Sequence, residues 1–291
     1  MRWIVLLAAC GRTEDHAPAP APTPAKVVAG CEQLPFAAST PVPEASGAAF
    51  LTIDGALRLV VASDSGNHGA YGLVDPDTGA TLEQGLLPLN GSTDDIEGLA
   101  SRGEHLFGIT SPGWILEWKR VAHGFELVAG PTALGPIDLP PHGGLGDKPP
   151  PGDGMVCDGT RTNCGRNYEG ICLTEHDGYV ASKADGHLYR VTGDAQLVVQ
   201  HADSIAVADP GHLADCAYDN GQLYVGNNLF GMSTVSRVVD KAGAKKLVPI
   251  ASIGVGFPEV LAVRGDVFYR MSDTGGAPSL MSKFRCSAAT R

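Results

Sequence analysis

The chain has 291 residues, with 21 basic and 32 acidic side chains and a formal net charge of −11. A chain this negative repels phosphate backbones, and it contains no local basic patch, so the sequence predicts no nucleic-acid partner. Hydrophobic residues make up 43% of the chain, enough for a core, and 38 glycines and 21 prolines are spread along it. So many turn-forming residues argue against a helical bundle and predict an all-β protein of many short strands.

The first ten residues resemble a bacterial lipoprotein signal. Arg2 precedes a short apolar stretch, and Leu7-Ala-Ala-Cys10 matches a lipobox, in which the cysteine is lipidated and becomes the new N-terminus. We therefore expect residues 1–10 to be a signal that ends at a lipidated Cys10. The protein would then be exported and anchored to the outer membrane, facing the periplasm or the cell surface. The alternative is a fortuitous apolar start, because the apolar stretch is shorter than the usual ~7–15 residues.

Residues 11–29 are rich in proline and alanine and include HAPAPAPTPA. Such a segment cannot build a core and is typical of an extended tether. We expect the folded domain to occupy residues 30–291. Its most apolar stretch, Leu247–Val263, is interrupted by Pro258 and Glu259, so no membrane-spanning helix is predicted and the lipid would be the only membrane contact.

An internal repeat is the strongest signal in the chain. Each unit has a short apolar strand, a turn glycine and a second, alternating strand, and most units continue with third and fourth apolar segments. The predicted turn glycines are Gly55, Gly103, Gly178, Gly221 and Gly265. About 45 residues and four strands per unit are typical of a propeller blade. The sequence predicts a five-bladed β-propeller with an insertion at residues 138–166. A sixth blade is the alternative, if the first 45 residues contain one.

The last unit stops after its third strand, at Cys286, and the segment Gly30–Phe36 has the character of the missing outer strand. We therefore expect the N-terminal strand to close the ring by pairing with the last blade. Six cysteines follow Cys10, and an even number in an exported protein predicts three disulfides. The expected pairs are Cys31–Cys286 across the closure, Cys157–Cys164 within the insertion, and Cys172–Cys216 on neighbouring inner strands.

Four units carry an acidic residue at what the sequence indicates is one equivalent position of the inner strand: Glu97, Glu169, Asp215 and Glu259. Inner strands line the channel of a propeller, so these carboxylates would form a ring, and their repulsion predicts a bound cation. Oxygen ligands suit Ca²⁺, with Mg²⁺ or Mn²⁺ as alternatives, and no cysteine or histidine cluster favours zinc. The other interpretation is that these side chains cap strand ends or make solvated contacts between blades.

A second set of polar residues lies where the second strand of each unit ends. Its members are Asp64, Ser111, Lys183, Asn227, Asn228 and Asp273. At equivalent positions they would frame a shallow pocket at the channel mouth, and they are the predicted ligand-binding residues. The alternative is that they only form the turns that such residues favour.

The pattern D/N-x-E-G-I/L, with S-D, S-K or N-N ending the next strand, resembles the SdiA-regulated family of exported propellers. More loosely, it resembles the phytase-like domain described as having esterase-like activity. The resemblance covers most of residues 45–286 and implies a propeller with a central calcium, without a settled activity. The motif match covers Glu97, Glu169 and Glu259. The sequence departs from it at Asp215, in Ala-Asp-Cys, and at Ala49, where the first unit has no carboxylate.

The chain contains no G-x-S-x-G, H-E-x-x-H or P-loop motif that would identify a catalytic site. The sequence therefore predicts a monomeric exported lipoprotein whose calcium-stabilised propeller binds a small molecule or a protein. The alternative is a metal-dependent hydrolase of phosphate esters or other small esters, in which the metal would polarise the substrate in the channel.

Overall fold

The computed structural model describes residues 30–89, 94–134, 167–194, 196–229, 232–241, 244–276 and 278–287. Their regular secondary structure consists of β-strands. The predicted signal and tether at residues 1–29, with Cys10, lie outside the described residues. The insertion at residues 138–166, with Cys157 and Cys164, also lies outside them. Within the described ranges, no helix has the length and apolar character needed to cross a membrane.

The described strands form five antiparallel sheets. An N-terminal segment comes first, with β1 (Cys31–Gln33) and β2 (Ser39–Pro43). Blade 1 contains β3 (Ala45–Ile53), β4 (Ala56–Ser63), β5 (Ala70–Val74) and β6 (Thr81–Leu86). Blade 2 contains β7 (Ile96–Arg102), β8 (His105–Thr110), β9 (Trp114–Arg120) and β10 (Phe125–Ala133). Blade 3 contains β11 (Tyr168–Leu173), β12 (Asp177–Ser182), β13 (His187–Thr192) and β14 (Val198–Ala206).

Blade 4 contains β15 (Leu213–Asp219), β16 (Gln222–Leu229), β17 (Met232–Lys241) and β18 (Ala244–Ala251). Blade 5 contains β19 (Phe257–Arg264), β20 (Val267–Asp273) and β21 (Pro278–Cys286). The first strand of each blade contacts the first strands of the two neighbouring blades, so these five strands line a central channel. The prediction of an all-β, five-bladed propeller is confirmed.

Glycine allows the tight turn between the first and second strands in four blades. Gly55, Gly103, Gly221 and Gly265 all have positive φ, between 60° and 80°, which glycine adopts without a Cβ clash. Gly178 differs from the prediction, because it lies inside β12 and pairs with Leu173 and Val191. The turn in blade 3 precedes it, where the Thr174 amide bonds to the Asp177 carbonyl at 2.7 Å.

The N-terminal strand completes blade 5, as predicted. β1 pairs antiparallel with β21 and places Cys31 opposite Cys286, and a disulfide joins the two residues. β2 pairs with the other end of β21 and also contacts β4 and β5 of blade 1. The two ends of the ring are therefore joined both covalently and by a ladder of backbone hydrogen bonds, which removes an exposed sheet edge.

The core is divided into five hydrophobic clusters, each lying mainly between two neighbouring blades. A polar or covalent link crosses each of these interfaces. In order around the ring the links are Arg120 to Glu83, Arg102 to the Thr174 carbonyl, the Cys172–Cys216 disulfide, Asp215 to the Leu261 amide, and Lys283 to the Pro76 carbonyl. The predicted Cys172–Cys216 pair is thus confirmed as a link between blades 3 and 4.

Candidate functional site

Each inner strand carries a bulge near its start. In every blade the pairing with the second strand skips one residue of the inner strand. The skipped residues are Ser46, Glu97, Glu169, Ala214 and Glu259. A bulge turns a side chain away from the regular alternation of the strand. We call these five positions, at one end of the channel, the bulge ring.

The prediction that Asp215 is equivalent to Glu97 is wrong. Leu213 pairs with Asn227 as Ile96 pairs with Thr110, so Ala214 is the bulge-ring residue of blade 4. Asp215 is one residue further on, and in a strand one residue reverses the direction of the side chain. In blade 1 the equivalent residue is Ser46, not Ala49, and its hydroxyl donates a hydrogen bond to the Ile96 carbonyl.

Asp215 instead connects two blades. Its side chain is 2% exposed, and its carboxylate accepts the backbone N–H of Cys216 at 2.7 Å and that of Leu261, in blade 5, at 2.8 Å. Gly170 of blade 3 lies against it, where a Cβ would collide with the carboxylate. Burial raises the pKa of Asp215 well above its usual range, although both N–H groups oppose the shift.

The second predicted set also forms a ring at this end of the channel. In each blade, the inner-strand residue just before the bulge pairs with a residue of the second strand, and the member of this set comes directly after that partner: Asp64, Ser111, Lys183, Asn228 and Asp273. Asn227 is one residue earlier, at the position of Ser63 and Ser182. The Oδ1 atoms of Asn227 and Asn228 are buried and accept no hydrogen bond from the described residues.

Three carboxylates converge where blades 1 and 2 meet. One oxygen atom from each of Asp64, Asp95 and Glu97 lies within 4.8 Å of the other two. Asp95 is 6% exposed and Glu97 is 9% exposed, and the Ser111 hydroxyl donates to Glu97 Oε1 at 2.6 Å. We call these three residues the acidic triad. Sequence analysis missed the role of Asp95, although it is the first residue of the D-x-E motif.

A lysine occupies the side of the mouth that lies between blades 3 and 5. Lys183 Nζ lies 2.9 Å from Glu169 Oε2 and 3.7 Å from Glu259 Oε1. The Asn167 side chain donates to the other oxygen of Glu169 at 2.5 Å. Glu169 and Glu259 therefore share a counter-ion that belongs to the chain itself. Blade 4, with Ala214 and Asn228, adds no charged residue to either ring.

Burial and mutual repulsion raise the pKa values of the carboxyl groups at the channel mouth. Burial raises the pKa of Asp64 to about 7, and the Asp95, Glu169 and Asp273 carboxylates add to the shift. Burial, followed by repulsion from Glu169 and Asp64, raises the pKa of Glu97 well above its usual range. The pKa of Glu259 rises to about 7, mainly through burial and then through Glu169, although Lys183 opposes it. Deprotonating these carboxyl groups in the folded protein therefore costs more free energy than deprotonating them in water.

Beyond the bulges most of the side chains that line the channel are apolar, although Ser101, Tyr218 and Asp219 also line it. A cavity of about 220 Å³ lies among the later residues of the five inner strands, with Phe50, Leu99 and Leu173 in its wall. Cys172 and Cys216 are also among its lining residues, and their disulfide joins two of these inner strands. The acidic triad and the Lys183 ion pairs lie at the opposite end, which is the candidate functional site.

No family model matches the chain, and no curated protein matches it. Solved structures with a similar fold include the PQQ-bound aldose sugar dehydrogenase of Streptomyces coelicolor. It has 14% sequence identity and a TM-score of 0.49, and the match covers 88% of this chain and 98% of that one. The glutaminyl cyclase of Myxococcus xanthus has 13% identity and a TM-score of 0.47, over 84% and 94% of the two chains. At such identities these likenesses concern the fold alone, and the resemblance to SdiA-regulated propellers stays a prediction.

Proposed function

We propose that this protein is an exported binding module whose channel mouth holds one divalent cation at the acidic triad. The first candidate for this cation is Ca²⁺. The convergence of Asp64, Asp95 and Glu97 carries this proposal. In the described part of the chain, no lysine, arginine or histidine forms an ion pair with Asp64 or Glu97. Glu169 and Glu259, by contrast, have Lys183. Buried like charges need a counter-ion, protons or water, and a metal ion would meet that need here.

The donor set fits a hard cation. All three groups offer carboxylate oxygens, which Ca²⁺ prefers, and Mg²⁺ or Mn²⁺ would use the same atoms. The ion would join Asp64 of blade 1 to Asp95 and Glu97 of blade 2 and would remove their mutual repulsion. Ca²⁺ takes about 6–8 oxygen ligands, so three carboxylates leave positions for water or for oxygen atoms of a ligand. A small molecule or a protein segment bound at the mouth could supply those atoms.

Thermal unfolding with and without Ca²⁺ tests this function. A cation that binds only the folded protein raises its stability by RT ln(1 + [L]/Kd), about 2.7 kcal/mol at a hundredfold excess over Kd. Millimolar Ca²⁺ should raise Tm relative to the chelated protein, and Glu97→Gln should remove most of that shift. The control is Glu126→Gln, at an exposed glutamate of β10. A folded wild-type protein whose Tm does not respond to Ca²⁺ would contradict the proposal.

The two disulfides indicate an oxidising compartment, as expected for an exported protein. The lipobox at Leu7-Ala-Ala-Cys10 supports the further proposal of a lipid anchor on Cys10, with the proline-rich segment as a tether and a monomeric propeller at its end. In the native host, the wild-type protein should partition into the detergent phase and Cys10→Ser into the aqueous phase. Equal partitioning of the two proteins would rule out the anchor.

A further inference from the structure

We infer that the Lys183 ammonium occupies a second cation position of the channel mouth, between Glu169 and Glu259, and so limits the mouth to one divalent cation. This inference rests on the proposed function for the ion at the acidic triad, but the second position is argued from Lys183 itself. Lys183 would thus determine how many ions the site takes.

The position of Lys183 supports this role. Among the residues that share its ring position, Asp64 and Asp273 are acidic and Ser111 and Asn228 are neutral, so Lys183 is the basic member of the set. Its ammonium is within 4 Å of a carboxylate oxygen from each of two blades, Glu169 of blade 3 and Glu259 of blade 5. Its side chain is 29% exposed, whereas that of Glu169 is 5% exposed. The ammonium therefore lies where a bound cation would bridge the same two blades.

The surrounding charges are those of a cation site. Glu259 is repelled by two other carboxylates, strongly by Glu169 and more weakly by Asp273. Three carboxylates therefore lie close together on this side of the mouth. Burial alone lowers the pKa of Lys183, but attraction from Glu169 and then Glu259 outweighs it and raises that pKa overall. Lys183 is therefore a permanent cation at physiological pH. Removing it would leave the buried Glu169 and the half-buried Glu259 with the same need for a counter-ion as the acidic triad.

A tethered ammonium also competes well against ions from solution. Because it is part of the chain, its return to the carboxylates is an intramolecular step with a high effective concentration. A second divalent ion would have to displace it and then bind beside the first ion, against like-charge repulsion. We therefore expect one divalent ion per wild-type chain.

Counting bound Ca²⁺ in the Lys183→Met variant tests the inference. Equilibrium dialysis with Ca²⁺ as the probe should give one more ion per chain for Lys183→Met than for the wild type. The control is Lys245→Met, which removes the same charge from an exposed lysine that pairs with Asp240 at 3.2 Å on the outer strands. It should bind the wild-type number of ions. The same count in Lys183→Met and the wild type would overturn the inference.

The count also separates this inference from the proposed function. A wild-type count of zero with a count of one in Lys183→Met would reject the ion at the acidic triad and support the second position. If Lys183→Met folds only when Ca²⁺ is present, the ion has replaced the ammonium, which also supports the inference. If it folds in neither condition while Lys183→Met/Glu169→Gln folds, Lys183 is a counter-ion that no metal replaces, and the inference is wrong.

Discussion

The Asp215 carboxylate accepts the backbone N–H of Leu261 at 2.8 Å, so a side chain of blade 4 completes the hydrogen bonding of blade 5. Its other oxygen accepts the Cys216 N–H at 2.7 Å. Asp215→Ala removes both acceptors and leaves buried N–H groups unpaired. Each such loss costs about 1–3 kcal/mol. We expect the free energy of unfolding, measured with denaturant, to fall by at least the lower figure.

The Ca²⁺ response distinguishes this structural role from metal binding. Asp215→Ala should keep the wild-type rise in Tm with Ca²⁺, because Asp215 is not part of the acidic triad. A variant with wild-type stability but no Ca²⁺ response would show instead that Asp215 is a ligand, as the sequence suggested.

The strand position of Asp215 could not be predicted from the sequence, although the fold around it could. The turn glycines and strand patterns repeat visibly, so the five blades and the closure at Cys31 and Cys286 could be predicted. A bulge shifts the strand pairing by one residue, and the sequence Ala-Asp-Cys is compatible with either Ala214 or Asp215 at the bulge. The choice depends on a contact with Leu261 of the next blade, which no local pattern encodes.

The candidate site was predictable only in part, for a related reason. Lys183 was predicted at the mouth because it ends a second strand in the repeat. Its pairing with Glu169 and Glu259 depends on distances across the channel. Likewise, Asp64 comes from blade 1 and Asp95 from blade 2, and only the closed ring brings them together.

A buried arginine predicts a steric requirement at Gly226. Arg270 is fully buried and donates to the Val260 carbonyl through Nη1 at 2.7 Å and to the Pro258 carbonyl at 2.8 Å. A Cβ on Gly226 would lie 2.6 Å from that Nη1 atom. Gly226→Ala should therefore destabilise the protein by about 1–3 kcal/mol in denaturant unfolding, the usual cost of overpacking.

A double-mutant cycle checks the cause of that loss. In an Arg270→Met background the clash is relieved, so Gly226→Ala should cost clearly less than it does in the wild type. Equal costs in the two backgrounds would mean that Arg270 does not impose the glycine.

The closure disulfide should contribute strongly to stability. Cys31 and Cys286 are 255 residues apart, whereas Cys172 and Cys216 are 44 apart. In the chain-entropy account, a longer loop gains more from a cross-link, and losing a native disulfide costs about 2–5 kcal/mol. Cys31→Ala/Cys286→Ala should therefore lower the free energy of unfolding more than Cys172→Ala/Cys216→Ala does. The reverse order would show that the closing strands β1 and β2 hold the ring without the disulfide.

The raised carboxyl pKa values predict a pH dependence. Folding raises the pKa of Asp64 from 3.8 to about 7 and the pKa of Glu259 from 4.5 to about 7. Between these values the folded protein therefore binds more protons than the unfolded chain. The free energy of unfolding of the chelated protein should therefore fall as pH rises from about 5 to 7. Glu259→Gln should reduce that slope, because one of the raised groups is gone.

Stabilisation by Ca²⁺ should increase with pH, whereas the stability of the chelated protein should decrease. Because the ion competes with protons for the triad, its effect on Tm should be small near pH 5 and larger near pH 8. If the free energy of unfolding of the chelated protein instead stays level or rises between about pH 5 and 7, the raised pKa values of Asp64 and Glu259 are contradicted.

The most direct measurement for the cation site is a crystal structure with Mn²⁺, located by anomalous scattering. Mn²⁺ uses the same oxygen ligands and gives a signal that a water molecule does not. We predict one anomalous peak at the mouth, among the carboxylates of Asp64, Asp95 and Glu97, with Lys183 still between Glu169 and Glu259. A crystal saturated with Mn²⁺ that shows no peak at the triad, or a peak between Glu169 and Glu259 with Lys183 displaced, would contradict the account.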